Sequence, residues 1–453
     1  MNPLDAGEHA EHLAPARAAD TAATNARGWA VVVMLVLFML INYGDKVVLG
    51  LAAQPIMREL GLTPASYGLL SSSFFFLFSA SALVMGFVAT RVPTKWILFA
   101  LVVVWGLTQL PVIGATGMGA LLVSRIVLGA AEGPAQPLAL HAAFRWFPNE
   151  KRNIPSAMLV GGGSLGGVVA TPLLSSIMLH FGWRAAFLAL FLAAVLWCLL
   201  WITIGRDGPA DPHPHQRRDE PARRAEELRV PYRRIFLSGT WLSGFVAAFG
   251  AYWTAALLVA WVPAYVETAL GYRTAAAAAI VTAPWLLGLV ATFGQGALTQ
   301  WMMHRGVSSR ISRGVLSGSA TLLAGVAVLA LPTASHPGAQ IVLITLAFGL
   351  HGIPFATGQT VNGEIAPPAQ RSAVLSVSVA LVTLAGLAGP YLTGRLVQSS
   401  ADVSTGYAVA FAVPGILMVI GGLASLFFVR PERDAQRIRL DARKERDARR
   451  TSR

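Results

Sequence analysis

Four charged residues lie inside apolar stretches of the chain. Asp45 and Lys46 are adjacent in FMLINYGDKVVLGLAA, and Arg125 and Glu132 are seven residues apart in SRIVLGAAEGPAQP. A charge at the depth of a bilayer costs at least about 2.5–3.5 kcal/mol on insertion scales, so it is rarely present without a partner or a water-filled cavity. The four charges sum to zero. They fit either a structural ion-pair cluster or a working site, and we expect the working site.

The spacing of the second pair indicates which chemistry such a site would perform. Arg125 and Glu132 are about two helical turns apart, so both are expected to project from one face, with Gln136 one turn further on. A cation can hold a carboxylate by paired hydrogen bonds, and a partly desolvated glutamate can take up and release protons. These are the ingredients of proton-coupled anion transport. Each residue could equally serve only as the counter-ion of the other.

The composition indicates an integral membrane protein. Of 453 residues, 55% are hydrophobic and only 13% are charged, which is too apolar for a soluble globular protein. The net charge of +13 comes from basic residues in short loops and a carboxyl tail, and this pattern argues against a nucleic-acid partner. A single cysteine, Cys198, excludes an internal disulfide and a cysteine metal cluster. We expect no metal and no cofactor.

A membrane-spanning helix needs roughly 20 predominantly apolar residues, and the sequence contains twelve such segments. The predicted fold is therefore an all-α membrane protein with twelve transmembrane helices in two six-helix halves. The first segment is too long for a cleaved signal peptide and follows a mixed-charge tail, so we expect it to be retained. The predicted cores are 29–50, 66–89, 96–115, 119–141, 155–179, 184–204, 236–265, 275–302, 314–331, 339–362, 372–396 and 407–429.

The distribution of basic residues predicts the orientation. If both termini are cytoplasmic, 29 of the 35 Lys and Arg residues lie on the inner side and four in outer loops, in agreement with the positive-inside rule. A Pro-rich stretch with charges of both signs separates the two sets of six helices. The predicted regions are an amino tail at 1–28, the halves at 29–205 and 235–429, a cytoplasmic linker at 206–234 and a basic tail at 430–453.

Other polar residues in the spans are candidates for substrate contacts. His351 and Gln359 lie in LHGIPFATGQ, and Ser164 interrupts the glycine run LVGGGSLGG. Each could instead be a hydrogen-bonded packing residue. The chain contains no credible phosphate-binding loop, metal-ligand spacing or Ser-His-Asp pattern, so we expect neither an ATP-driven pump nor an enzyme.

Two six-helix sets joined by a charged linker resemble the major facilitator superfamily. NYGDK in the first segment and RIVLGAAEGPAQP in the fourth resemble its anion:cation symporter family of organic-anion transporters, as do AWVPAYVETALGY and GPYLTG. The resemblance implies that Asp45 and Glu132 handle protons. It also implies that Arg125 and Lys46 bind the substrate anion and that Tyr43 helps to line the site.

The sequence departs from the family pattern at four positions, one of which is Pro93 at the usual glycine of the loop after the second segment. GFVATRVPTK has Thr90, and the related stretch GQGALTQWMMHRG has Gln300, where the superfamily usually has an aspartate of the cytoplasmic gate. These changes put the usual gate contacts in doubt. Lys46 stands where the family has arginine. Lysine presents a compact and titratable charge, whereas arginine presents a planar one.

Together these features predict a monomeric secondary transporter in the cell (inner) membrane, surrounded by lipid. It would carry a small organic anion with protons by alternating access. An organic-anion exchanger or a drug exporter of the same superfamily is the alternative, followed by a membrane sensor on the same scaffold. Sugar acids, aromatic carboxylates and dicarboxylates would all suit the predicted cations.

Overall fold

The structure, a computed structural model, describes residues 3–89, 91–114, 116–147, 152–208, 230–438 and 440, with side chains from Ala26 onward. Every regular element in these ranges is a helix. Thr90, residues 209–229 of the predicted linker and residues 441–453 of the basic tail lie outside the described residues.

Twelve helical stretches are long and apolar enough to cross a membrane, which confirms the predicted number of spans. We number them 1 to 12 in chain order. Their bounds are Ala26–Leu51, Pro64–Met85, Thr94–Ile113, Met118–Phe144, Ile154–Phe181, Trp183–Ile204, Gly239–Ala260, Thr274–His304, Arg310–Thr333, Pro337–Ile365, Ala373–Ser399 and Val403–Phe428.

Several helices extend beyond the spans or differ from the predicted ends. The helix of span 1 begins at Pro3, and those of spans 5 and 11 are Asn153–Phe181 and Pro368–Ser399. Span 9 opens with the π-helix Arg310–Val315, which the sequence had placed in a loop because of its two arginines. Short helices outside the spans are Ala53–Glu59, Tyr232–Phe236 and Val262–Thr268.

Three spans are interrupted near their middle. Glycine and proline lie at the breaks in spans 4 and 10, where they weaken the continuous ladder of backbone hydrogen bonds. Interrupted helices are a feature of transporter binding sites. The paired segments are Pro64–Ser73 with Phe78–Val88, Met118–Glu132 with Ala135–Phe144, and Pro337–Gly349 with Gly352–Ile365.

The two halves are packed together at one end of the molecule, which we call the closed end. A single buried apolar cluster there contains side chains from both halves, among them Val47, Tyr67, Trp261 and Tyr407. The Tyr67 hydroxyl lies 3.0 Å from the carbonyl oxygens of both Leu49 and Ala260, and so bridges the halves. The other buried clusters are each confined to one half.

At the opposite end the described ion pairs stay within one half. Arg145 lies 3.9 Å from Asp207, which directly follows the amino-terminal half, and Arg313 lies 2.5 Å from Glu364 in the carboxyl-terminal half. The halves are therefore joined at the closed end, while the described pairs at the other end do not link them.

Candidate functional site

The charged residues predicted at membrane depth come together in the amino-terminal half. Lys46 Nζ lies 2.9 Å from Glu132 Oε2. Lys46 also donates a hydrogen bond to Oδ1 of Asn42, one turn earlier on the same helix. The Lys46 side chain is 19% exposed, whereas that of Glu132 is fully buried. An anion that enters the space between the halves would therefore meet Lys46 before the other charges of this cluster.

Asp45 is turned away from Lys46 toward a different partner. Successive residues on a helix are about 100° apart, so the two adjacent charges cannot share one direction. Asp45 is 1% exposed, and its Oδ1 accepts a hydrogen bond of 3.0 Å from Nε2 of Gln109 on span 3. Among the described residues its Oδ2 has no hydrogen-bond partner. A buried carboxylate oxygen without a donor is costly.

Arg125 lies behind this cluster and not on its exposed side. It is 2% exposed, its Nη1 donates to the backbone oxygen of Asp45 at 3.1 Å, and its Cζ lies 5.6 Å from the ring centroid of Phe187. It remains within electrostatic reach of both Asp45 and Glu132. Direct contact of Arg125 with a substrate anion would require these side chains to move, and its predicted role stays a prediction.

The break in span 4 explains the position of Glu132. Glu132 is the last residue of the helix Met118–Glu132, and Pro134 cannot donate the backbone hydrogen bond that would continue it. Span 2 packs closely against this segment. A Cβ atom on Gly129 would lie 1.7 Å from the backbone oxygen of Phe74. Glycine at position 129 is therefore required for span 4 to pack this closely against span 2 beside Glu132.

The same break separates Gln136 from the stripe on which it was expected. The prediction extended one helical face from Arg125 through Glu132 to Gln136, which assumes an unbroken helix. In the structure Arg125 and Glu132 are buried and Gln136 is exposed. Among the described residues, Gln136, Ser164 and Gln359 make no hydrogen bond with the charged cluster. Their substrate-binding roles also stay predictions.

Tyr43 connects the charged cluster to the carboxyl-terminal half. Lys46 Nζ lies 4.6 Å from the Tyr43 ring centroid, a cation–π distance. The Tyr43 ring in turn packs edge-on against Trp285 at 5.9 Å, and Trp285 lies 6.3 Å from His351. Tyr43 and His351 were predicted from the sequence as site residues on separate grounds. The structure shows that Trp285 lies between them.

His351 occupies the break in span 10, between Gly349 and Gly352. Its Nδ1 lies 2.6 Å from the carbonyl oxygen of Phe348. Because a carbonyl only accepts, Nδ1 carries the proton, and Nε2 of the neutral ring is left as an acceptor. His351 can therefore accept a hydrogen bond from a ligand or a water.

Two contacts of the site were missed by the sequence reasoning. Asn42 and Gln109 are both 1% exposed and bind Lys46 and Asp45, respectively. Both are uncharged polar residues in apolar spans, and buried polar groups in a span need partners. That signal was present in the sequence, but the identity of each partner depends on how the helices pack.

A separate cavity lies between spans 8, 9 and 10, with a volume of about 430 Å³. Its lining includes Arg313, which is paired with Glu364, and Gln300, one of the departures from the family pattern. Gln300 thus lines this cavity together with other polar side chains. The other polar residues that line this cavity are Thr292, Gln295, Thr299, His304, Thr357 and Thr360.

Comparison with known proteins identifies the family. A sequence profile of the Major Facilitator Superfamily matches residues 34–360 and 307–451. The chain belongs to the Major Facilitator Superfamily. It is accordingly a multi-pass protein of the cell (inner) membrane, and its superfamily consists of transporters and not of enzymes.

The chain is also similar to two proteins that are named as transporters of organic anions. The chain is 28% identical over 408 residues to a probable sulfoacetate transporter of Cupriavidus necator, with 87% of this chain and 92% of that protein covered. It is also 28% identical over 410 residues to a hexuronate transporter of Bacillus subtilis, with 88% and 94% covered.

The fold of this chain is similar to that of a solved transporter structure. A bacterial homologue of the human lysosomal transporter Spinster, in an inward-facing and unoccupied conformation, superposes with a TM-score of 0.73 at 20% identity. The match covers 89% of this chain and 98% of that one.

Proposed function

We propose that this protein is a secondary active transporter that carries a small organic anion, a carboxylate, together with protons by alternating access. The observation that carries the proposal is the Lys46–Glu132 ion pair, in which a partly exposed cation contacts a fully buried acid at 2.9 Å. The named substrates of the relatives, sulfoacetate and hexuronate, are small organic anions and support the same class.

The pair provides a coupling mechanism. In the empty site Glu132 balances the charge of Lys46. Protonation of Glu132 removes the negative charge, and the ammonium group of Lys46 is then free to bind a carboxylate. Because an unpaired charge in a buried site is costly, proton binding and anion binding favour each other. Release of both restores the ion pair.

The remaining site residues take supporting roles in this proposal. Asp45, with its unpartnered Oδ2, is a second proton carrier. Arg125 holds a fixed positive charge behind both acids, and Tyr43 forms a wall beside Lys46. As the halves close around the substrate, further contacts would come from Gln136, Ser164, His351 and Gln359.

We further propose that both termini are cytoplasmic and that the halves 29–205 and 235–429 rock about the site. The excess of Lys and Arg in the inner loops supports this orientation. On this assignment the closed end faces outward, and the structure corresponds to a state that is open toward the cytoplasm. Inward- and outward-open states would then exchange as the closed end separates.

The test uses purified protein in proteoliposomes. A thermal-shift screen against sulfoacetate, glucuronate, benzoate and succinate first identifies a carboxylate that binds. Uptake of that compound is then driven by an inside-alkaline pH gradient. Glu132→Gln should lose gradient-driven accumulation yet retain some substrate exchange, because a permanently neutral side chain imitates the protonated state but cannot release a proton.

The controls separate this mechanism from its alternative. Glu267→Gln makes the same change outside the spans, in the helix Val262–Thr268, and accumulation by this variant should still respond to the pH gradient. Full accumulation by a folded Glu132→Gln variant would remove Glu132 from the coupling mechanism. If wild-type uptake depends on a counter-substrate and not on the pH gradient, the protein is an anion exchanger.

A further inference from the structure

The Lys46 ammonium group lies among aromatic rings of the amino-terminal half. Its Nζ is 4.6 Å from the ring centroid of Tyr43 and 6.0 Å from that of Phe78. Phe75 precedes Phe78 by one turn, and the two ring centroids are 6.0 Å apart. Tyr43, Phe75 and Phe78 are all half-buried, so each ring keeps part of its surface uncovered. A carboxylate on Lys46 would therefore have aromatic surface beside it.

Rings of the carboxyl-terminal half lie on the other side of the same space. Phe75 packs edge-on against Tyr252 at 6.0 Å, Tyr252 lies 5.9 Å from Phe355, and Tyr43 lies 5.9 Å from Trp285. The position of Phe75 is restricted as well, since a Cβ atom on Gly386 would come within 2.7 Å of its ring. Aromatic walls from both halves thus meet beside the cation.

Polar groups at this level are partly engaged with each other, and Nδ2 of Asn42 and Nε1 of Trp285 have no hydrogen-bond partner among the described residues. The hydroxyl groups of Ser79 and Thr383 bind each other across the halves at 2.6 Å. Oδ1 of Asn42 is occupied by Lys46, and Nδ1 of His351 by a backbone carbonyl. A polyhydroxylated acid has more hydroxyl groups than these free donors can bind, so it would lose some of its hydrogen bonds to water here. A flat ring needs only apolar and aromatic surface.

We propose that the transported anion is an aromatic monocarboxylate, with its carboxylate on Lys46 and its ring between the aromatic walls of the two halves. This inference rests on the proposed function and narrows its substrate class. It also separates the protein from relatives named for sulfoacetate and hexuronate, which carry no aromatic ring.

The test compares three monocarboxylates by calorimetry on purified wild-type protein. Benzoate carries the ring, cyclohexanecarboxylate has a similar volume without aromatic character, and glucuronate carries hydroxyl groups. Benzoate should bind about 2- to 12-fold more tightly than cyclohexanecarboxylate, the range measured for aromatic pairs. It should bind at least about 10-fold more tightly than glucuronate, whose hydroxyl groups lose partners.

A matched pair of variants locates the effect. Phe75→Leu removes a ring from the wall but keeps an apolar side chain, so the preference for benzoate over cyclohexanecarboxylate should disappear. Phe76→Leu makes the same change one residue away, at a position that is 64% exposed, and should leave the preference unchanged. The wild-type comparison decides the question even if Phe75→Leu does not fold.

The outcomes distinguish this inference from the proposed function. If glucuronate binds as tightly as benzoate, and a pH gradient drives glucuronate uptake, the aromatic class is wrong and the symport proposal stands. If cyclohexanecarboxylate equals benzoate, the rings contribute only apolar surface and the inference is also wrong. If no carboxylate binds, the inference and the proposed function both fail.

Discussion

Gly50→Ala should open the closed end. A Cβ atom on Gly50, in span 1, would lie 1.8 Å from the backbone oxygen of Val259 in span 7. Real Cβ contacts are essentially never under 3.0 Å, so these two backbones would have to separate by about 1.2 Å. Tyr67, which bridges the carbonyl oxygens of Leu49 and Ala260 in the same place, would lose one of its two contacts.

The magnitude follows from the cost of overpacking. Forcing one methyl group into a close-packed contact costs about 1–3 kcal/mol, and here the opposing atom is a backbone oxygen that cannot rotate away. This cost applies only while the closed end is packed. The ratio of molecules closed at this end to molecules open there should therefore fall about 5- to 150-fold. In a transporter that alternates between inward- and outward-open states, separation of the closed end removes the clash between the added methyl group and the Val259 oxygen.

Pulsed electron spin resonance measures the separation directly. Cys198 is the only cysteine in the sequence, and its replacement by alanine gives a background for labels at Arg58→Cys and Arg395→Cys, two exposed positions in different halves near the closed end. Gly50→Ala should add a longer distance between the labels. Gly119→Ala, where a Cβ atom meets nothing within 4 Å, is the control. A folded Gly50→Ala variant with the wild-type distance distribution would refute the reasoning.

Three further outcomes test individual side chains. Arg125→Lys should weaken anion binding by about 10-fold or more, because an ammonium group cannot reproduce the planar arrangement that reaches the Asp45 carbonyl. If calorimetry shows wild-type affinity in a folded variant, Arg125 is purely structural. Asp45→Asn should abolish substrate accumulation driven by a pH gradient, whereas Lys46→Arg should keep this accumulation and change mainly the affinity for the substrate. An Asp45→Asn variant that still concentrates substrate would show that Asp45 is only a counter-ion. Trp183 and Arg184 bind the Glu59 carboxylate and lower its pKa below the usual 4.5, so the stability that this contact adds is present above pH 4.5 and is lost as the pH falls through the lowered value. The difference in Tm between wild type and Glu59→Gln should shrink at pH 3.5, and an unchanged difference would contradict this account.

The number of spans and the identity of the embedded charges were predictable from the sequence. Both follow from the cost of polar groups in a bilayer, which acts on each residue separately. A run of about 20 apolar residues therefore predicts a span wherever it occurs, and Lys46 or Glu132 is conspicuous inside one. The large angle between Asp45 and Lys46 is equally a local property of a helix, and the structure gives them different partners.

The depth of Arg125 was not predictable in the same way. A helical-face argument places Arg125 beside Glu132, but it does not say which side of the helix faces the space between the halves. That depends on Phe187 and on the backbone of Asp45, which belong to other spans. The break after Glu132 also changed the direction of Gln136. Such features depend on contacts between residues that are distant in the sequence.

In the proposed cycle, Tyr43 connects Lys46 to the opposite half of the protein. The Tyr43 ring contacts Lys46 and also packs against Trp285, which belongs to the carboxyl-terminal half. A substrate that draws Lys46 away from Glu132 must therefore alter a contact on which the two halves meet. The closed end is built from close backbone contacts, as at Gly50 and Val259, and these lose their fit after a small displacement. A change of charge at Lys46 and the release of the closed end can thus be coupled without a hinge at the site itself.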